Sequence, residues 1–227
     1  MKAEPQPAVV DGRVPELGFA VESARALEHS AAPTIRFELG IESLAGHEIR
    51  SVMLHVQIQI AARRRRYDAQ AQERLVDLFG TPDRWGSTLS TLQWLRTTVV
   101  VPPFSASAHV ELDVPCTYDL EVKAARYANA LEDGTMPVEL LFSGSVFYNG
   151  EDGSLQTAMI GWDKEALFEL PVAVWRDMMD QHFPNTAWLR IDRDTYDRLN
   201  AHRSRAQHAS WEETLACLLD RGEDGPG

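Results

Sequence analysis

From Thr34 to Glu42 the chain alternates. Ile35, Phe37, Leu39 and Ile41 are apolar, and Arg36, Glu38, Gly40 and Glu42 stand between or after them. A period of two is that of a half-buried strand. Ala45-Gly46-His47 then offers a turn. A longer alternation places Val52, Leu54, Val56, Ile58 and Ile60 on one face and Met53, His55, Gln57 and Gln59 on the other. Two such runs joined by a glycine-containing loop predict an antiparallel hairpin. Phe19, Val21 and Leu27 begin an earlier strand. Further short runs follow at Thr97–Val101, stopped by Pro102-Pro103, then at Ala106–Val114, Tyr118–Ala124 and Val138–Tyr148. Asn149-Gly150 with Gly153 marks a strong turn, after which Leu155–Trp162 returns as a strand.

Helical spacing enters in four places. Asp68–Phe79 carries Ala71, Leu75, Leu78 and Phe79 on one stripe, with Gly80 past its end. After Pro171 the period changes for good: Val172, Trp175, Met179 and Phe183 share a helical face, and Pro184 closes it. Asp192 or Asp194 caps a short helix through Leu199. Ser210 with Glu213 three positions on is a capping box, opening a last helix with Trp211, Leu215, Leu218 and Leu219. Strands come first and most helices last. That order predicts an α+β fold, an antiparallel β-sheet with C-terminal helices packed on one face.

Proline and small residues make 1–18 a flexible tail, and 221–227 reads as a second one. Between them 19–220 is expected to be a single α+β domain, with residues 63–103 as an insertion. At 227 residues, 44% of them hydrophobic, the chain can bury a core without disulfides or a structural metal. Its net charge of −12 argues against nucleic acid, which demands a basic face. No apolar run is long enough for a transmembrane helix, and Cys116 and Cys217 are too few for a disulfide framework. With no apolar leader visible at the N-terminus, a cytoplasmic protein with reduced thiols is expected.

Candidate chemistry is sparse. The seven histidines form no HExxH, and neither cysteine has a CxxC partner, so no metal and no other cofactor is expected. His55 and His109 would approach each other only if their strands were neighbours. Gly144-Ser145 lacks the second glycine of a nucleophile elbow, because Phe147 stands there. Gly144 reads instead as a bulge or a close backbone approach. No phosphate-binding glycine motif is present. The expectation is a protein without a catalytic residue.

What remains is the insertion. It combines Arg63, Arg64, Arg65 and Arg66 with Trp85, Leu89, Leu92 and Trp94. Arginine pairs bidentately with carboxylates, and an apolar patch rimmed by arginine is common interface anatomy. These eight residues are the candidate partner-binding surface. The other reading is that Trp85 and Trp94 cover one end of the sheet.

Phe19-Ala-Val21, Pro33–Ile41, the strand Val52–Ile60, Ser143–Phe147 and the helix Pro171–Phe183 with its Phe-Pro linker resemble the SecB-type export chaperones. That resemblance implies a sheet-plus-helix fold and a client-binding role. Pro115–Asp119, Leu140–Gly144 and Pro171–Trp175 are similar to an uncharacterised actinobacterial family encoded beside uptake [NiFe]-hydrogenase genes. It implies a chaperone-like accessory factor whose partner is a protein client, such as a hydrogenase component. A structural or regulatory subunit of a stable complex and an enzyme with an unrecognised site are the alternatives. Homo-oligomerisation is left open.

Overall fold

Antiparallel strands occupy most of the chain up to Pro171, and helices follow. The structure is a computed structural model that describes residues 14–116, 122–150, 152–184 and 191–223. The strands are β1 (Leu17–Ala26), β2 (Thr34–Ser43), β3 (Ile49–Ile60), β4 (Leu92–Val101), β5 (Ser107–Pro115), β6 (Thr135–Asn149), β7 (Leu155–Met159) and β8 (Glu165–Pro171). The helices are α1 (Ala69–Arg74), α2 (Val76–Phe79), α3 (Trp85–Thr88), α4 (Val122–Ala130), α5 (Val172–His182), α6 (Arg193–Ala206) and α7 (Trp211–Glu223). The α+β class read from the order of strands and helices holds.

The strands divide between two sheets, which the alternation alone does not reveal. One has the order β1-β2-β5 and the other β4-β3-β6, all pairs antiparallel. The far edge of β6 is shared, with β8 along residues 135–141 and β7 along residues 145–149. The apolar faces meet. Phe19 on β1 stacks on Phe142 of β6 at 4.3 Å, and Phe37 on β2 meets Trp94 of β4 and Phe168 of β8 edge-on. Every apolar position of the Ile35–Ile41 and Val52–Ile60 alternations is buried. α5 lies against β1, β2 and β8, so the first of the late helices covers the strands as its apolar stripe predicts.

Three segments differ from the sequence reading. The Tyr118–Ala124 alternation does not continue as a strand: 117–121 lie outside the described residues, and Val122 begins α4. Ala124, Tyr127, Ala128 and Leu131 recur at helical spacing and are all buried. β4 begins at Leu92 rather than Thr97, because a register shift between Ile58 and Gln59 leaves Trp94 unpaired as a bulge. A bulge breaks the period of two, so Trp94 and Leu95 no longer read as strand. β8 was hidden behind the helix signal that follows it, although Ala166, Phe168 and Leu170 alternate with Glu165, Leu167 and Glu169.

Gly144 is a close approach, with φ +137°. A Cβ there would overlap the Met53 carbonyl oxygen on β3. The switch of β6 pairing from β8 to β7 happens at this glycine.

The chain divides between Pro184 and Asn185 into two compact units. All eight strands belong to the first. The second holds α6 and α7, joined through a turn at Gln207 in the left-handed region. Trp211 packs on Tyr196 at 5.6 Å and under the Arg203 guanidinium at 4.4 Å. The capping box is real: Glu213 N–H donates to Ser210 Oγ at 3.0 Å, and Ala209 N–H donates to the Glu213 carboxylate.

Candidate functional site

The four arginines sit just after β3, and two of them are clasps. Arg63 donates to the Leu89 carbonyl. Arg65 donates to the carbonyls of Thr135 and Asp133, holding the turn at Gly134 that leads into β6. Arg64 is 3.8 Å from Glu139, and Arg66 is exposed. Arg74 adds a further tie to Glu132 at 2.6 Å. The insertion is fastened to the body by its own guanidinium groups, so Arg63 and Arg65 are committed within the chain.

The apolar half of the expected surface is mostly core. Trp94 is 4% exposed and Leu92 is buried with it. Trp94 meets Phe37 at 6.3 Å and Trp175 of α5 at 6.2 Å, both edge-on. Its indole Nε1 is buried with no hydrogen-bond partner among the described residues. Trp85 and Leu89 are half-buried against the same core. Trp85 closes a ring of edge-to-face contacts running Tyr67–Trp85–Phe79–Tyr127 and back to Tyr67. Leu92 and Trp94 belong to the core rather than to an exposed patch: the bulge at Trp94 turns the indole inward, and Leu92 is paired to Ile60 on the inner face.

The phenols of this ring, Tyr127 buried and Tyr67 half-buried, share a hydrogen bond of 2.7 Å, and the Tyr67 hydroxyl donates to the Ala62 carbonyl at 2.6 Å. Burial pushes both Tyr67 and Tyr127 above the ordinary phenol range, Tyr127 the further.

The two sheets differ on their outer faces. On the first sheet that face is polar and internally paired. Arg36 bridges to Asp113 at 2.6 Å and to Glu111 at 2.5 Å, which raises the guanidinium and holds Asp113 below the usual carboxylate range. Glu22 crosses the bare backbone of Gly40 to meet His109 at 3.0 Å.

The outer face of the second sheet is not so covered. Pairing lines up Val100 on β4, Met53 on β3, Ser145 on β6 and Met159 on β7 in one row. Phe147 stands two positions along β6, and Leu155 two pairs along β7. Exposure is 66% at Val100, 44% at Met53, 73% at Met159 and 67% at Leu155, and Trp162, in the turn after β7, is 95% exposed. Large exposed apolar groups gathered on one face mark interaction sites. The sequence signal for this surface was slight: Met53 stands among His55, Gln57 and Gln59 on the polar side of its alternation.

Beside that row lies a shallow groove lined by His55, Gln57, Arg96, Thr98 and Ser143. His55 Nδ1 is 2.8 Å from Thr98 Oγ1, and Arg96 donates to Gln57 at 3.0 Å. His55 and His109 are on different sheets and do not meet. Among the described residues, no three His, Cys, Asp or Glu side chains gather as metal ligands would. Ser145 donates toward the Met159 sulfur at 3.5 Å, not to a base.

A family model matches residues 14–226 of the chain. The chain belongs to DUF6084, a family of unknown function. No protein of curated function matches this DUF6084 chain. Among solved structures, it is similar to the CARDB domain of a Pyrococcus furiosus protein in complex with di-metal ions. That similarity has 11% identity and TM-score 0.29, covering 70% of this chain and 94% of that one. It is also similar to the putative ApaA protein from Bordetella pertussis, with 12% identity and TM-score 0.27, over 69% of this chain and 95% of that one. β-Glucosidase 3B from Thermotoga neapolitana, in complex with α-D-glucose, is similar at 14% identity and TM-score 0.26, over 72% of this chain but 18% of that one.

Proposed function

We propose that this DUF6084 protein is a non-enzymatic, chaperone-like accessory factor that binds another protein through the outer face of its second sheet. The observation that carries this reading is the row Val100–Met53–Met159 with Leu155, apolar and exposed in a chain of net charge −12. Desolvating such side chains is the main source of affinity at protein interfaces, and the acidic remainder keeps the molecule soluble. The partner we propose is a [NiFe]-hydrogenase component, met in the cytoplasm. That part rests on the resemblance carried by Pro115–Asp119, Leu140–Gly144 and Pro171–Trp175. Among the described residues no helix is long and apolar enough to cross a membrane.

Binding of the purified chain to immature and mature hydrogenase subunits tests this. An accessory factor holds the immature subunit and releases it on maturation. Equal binding of both forms would make the chain a permanent subunit. Binding of neither would remove hydrogenase as the partner.

A further inference from the structure

We propose that β7 is a docking edge that takes an extended, apolar segment with basic flanks from the partner protein as an added strand. The inference rests on the protein-binding reading of the adjoining sheet face and says how and to what that face binds.

The backbone register shows which groups are free. Gly150 N–H donates to the Ser154 carbonyl, and Ile160 N–H donates to that of Gly144. Antiparallel ladders alternate bonded and non-bonded pairs. Gln156 and Ala158 therefore bond to β6, while the N–H and C=O groups of Leu155, Thr157 and Met159 point away from it. Among the described strands β7 pairs with β6 alone. The side chains of these same three residues lie on the outer face, in line with Phe147 and Met53. An added strand would bond to the free edge and extend the apolar row in one step.

The other edges are defended and this one is not. β1 carries a register shift between Val21 and Ser23, with Glu22 and Arg25 along it. β4 carries its bulge and Arg96, β5 carries Glu111 and Asp113, and β8 carries Glu165, Glu169 and Pro171. Bulges, charges and proline are the usual guards against strand addition. β7 reads Leu-Gln-Thr-Ala-Met, with none of them. Among the described residues, only its shortness protects it.

Charge selects the occupant. Asp152 stands in the turn before β7 and Asp163 in the turn after it, both exposed. Asp152 accepts from Ser154 N–H and Oγ–H, which holds it below the usual carboxylate range. Among the described residues, Lys164 is paired to Glu16 at 2.9 Å, and Arg50 of β3 lines a depression with Phe147 and Leu155 rather than standing beside Asp163. An apolar stretch ending in Lys or Arg matches this edge. A second copy does not. Two β7 strands paired antiparallel would set Leu155 against Met159 of the copy, bringing each Asp152 end to an Asp163 end.

The test uses the full chain and two synthetic peptides that share an alternating Val/Thr core. One has lysine at both ends and the other glutamate. The lysine peptide should bind by fluorescence anisotropy at low salt, about tenfold or more tighter than the glutamate peptide, a gap that closes as salt rises. Amide exchange should slow at Leu155, Thr157 and Met159. Thr157→Pro removes an outward N–H without touching the β6 ladder. It should abolish binding and leave the melting temperature and the protection of Gln156 and Ala158 intact. Equal binding of the peptides, no binding of either, or normal binding by Thr157→Pro would overturn the proposal. So would a dimer of the chain with β7 protected. Met53→Glu separates the two readings. If it abolishes capture of the partner protein and Thr157→Pro does not, the face binds and strand addition is wrong.

Discussion

Trp94 shows how a single residue changes meaning between sequence and structure. It is buried among Phe37 and Trp175, with an indole N–H that has no partner among the described residues. Trp94→Ala should cost about 3–5 kcal/mol and lower the melting temperature by roughly 10 °C. Trp94→Phe should cost far less, because it removes an unsatisfied donor along with part of the ring. A melting temperature unchanged in Trp94→Ala would return the residue to the surface. Met53 is the reverse case. A methionine among His55, Gln57 and Gln59 is legible as an exception to the polar side, but its exposure depends on β4 and β6 leaving the outer face bare. The paired phenols make a pH prediction. Both are raised in the folded state, so the stability they contribute is fully present below about pH 10 and lost as pH rises through the folded values. Melting temperatures should fall on the alkaline side, and Tyr127→Phe should blunt that fall. An equal alkaline fall in Tyr127→Phe would show that this phenol is not the group responsible.

At the scale of elements, the strand–turn–strand punctuation of β2, β3 and β6 is legible because each obeys one period over its length. Where two periods compete, the local pattern is ambiguous. α4 begins where an alternation from Tyr118 was still running, and its stripe Ala124–Tyr127–Ala128–Leu131 is made half of alanine. β4 was broken by its bulge. The two-sheet division follows from pairings such as Arg36 with Asp113, far apart in sequence, which no local pattern encodes. Gly144 was legible as a close approach from its place inside a strand. Gly144→Ala forces a Cβ onto the Met53 carbonyl at φ +137° and should destabilise by at least about 3 kcal/mol. Chemical denaturation reads this directly. A cost near that of an ordinary surface substitution would mean that β3 and β6 are not held this closely at the point where β7 replaces β8.

For the molecule as a whole, the two outer faces contrast. One sheet closes its charges on itself through Arg36–Asp113 and Glu22–His109. The other leaves Val100, Met53, Met159 and Leu155 to solvent. The insertion that the sequence marked as an interface turns out to be clasped inward by Arg63 and Arg65 and to supply the edge strand β4. The measurement that bears most directly on this is partner affinity for a pair of charge substitutions, one on each outer face, read beside thermal melting. Met53→Glu should reduce capture of the partner at least about tenfold with a nearly unchanged melting temperature, since a charge in a hot spot costs binding but not folding. Ser107→Glu, on the opposite sheet, should do neither. Equal capture by Met53→Glu, Ser107→Glu and the unaltered chain would contradict a binding face on the second sheet.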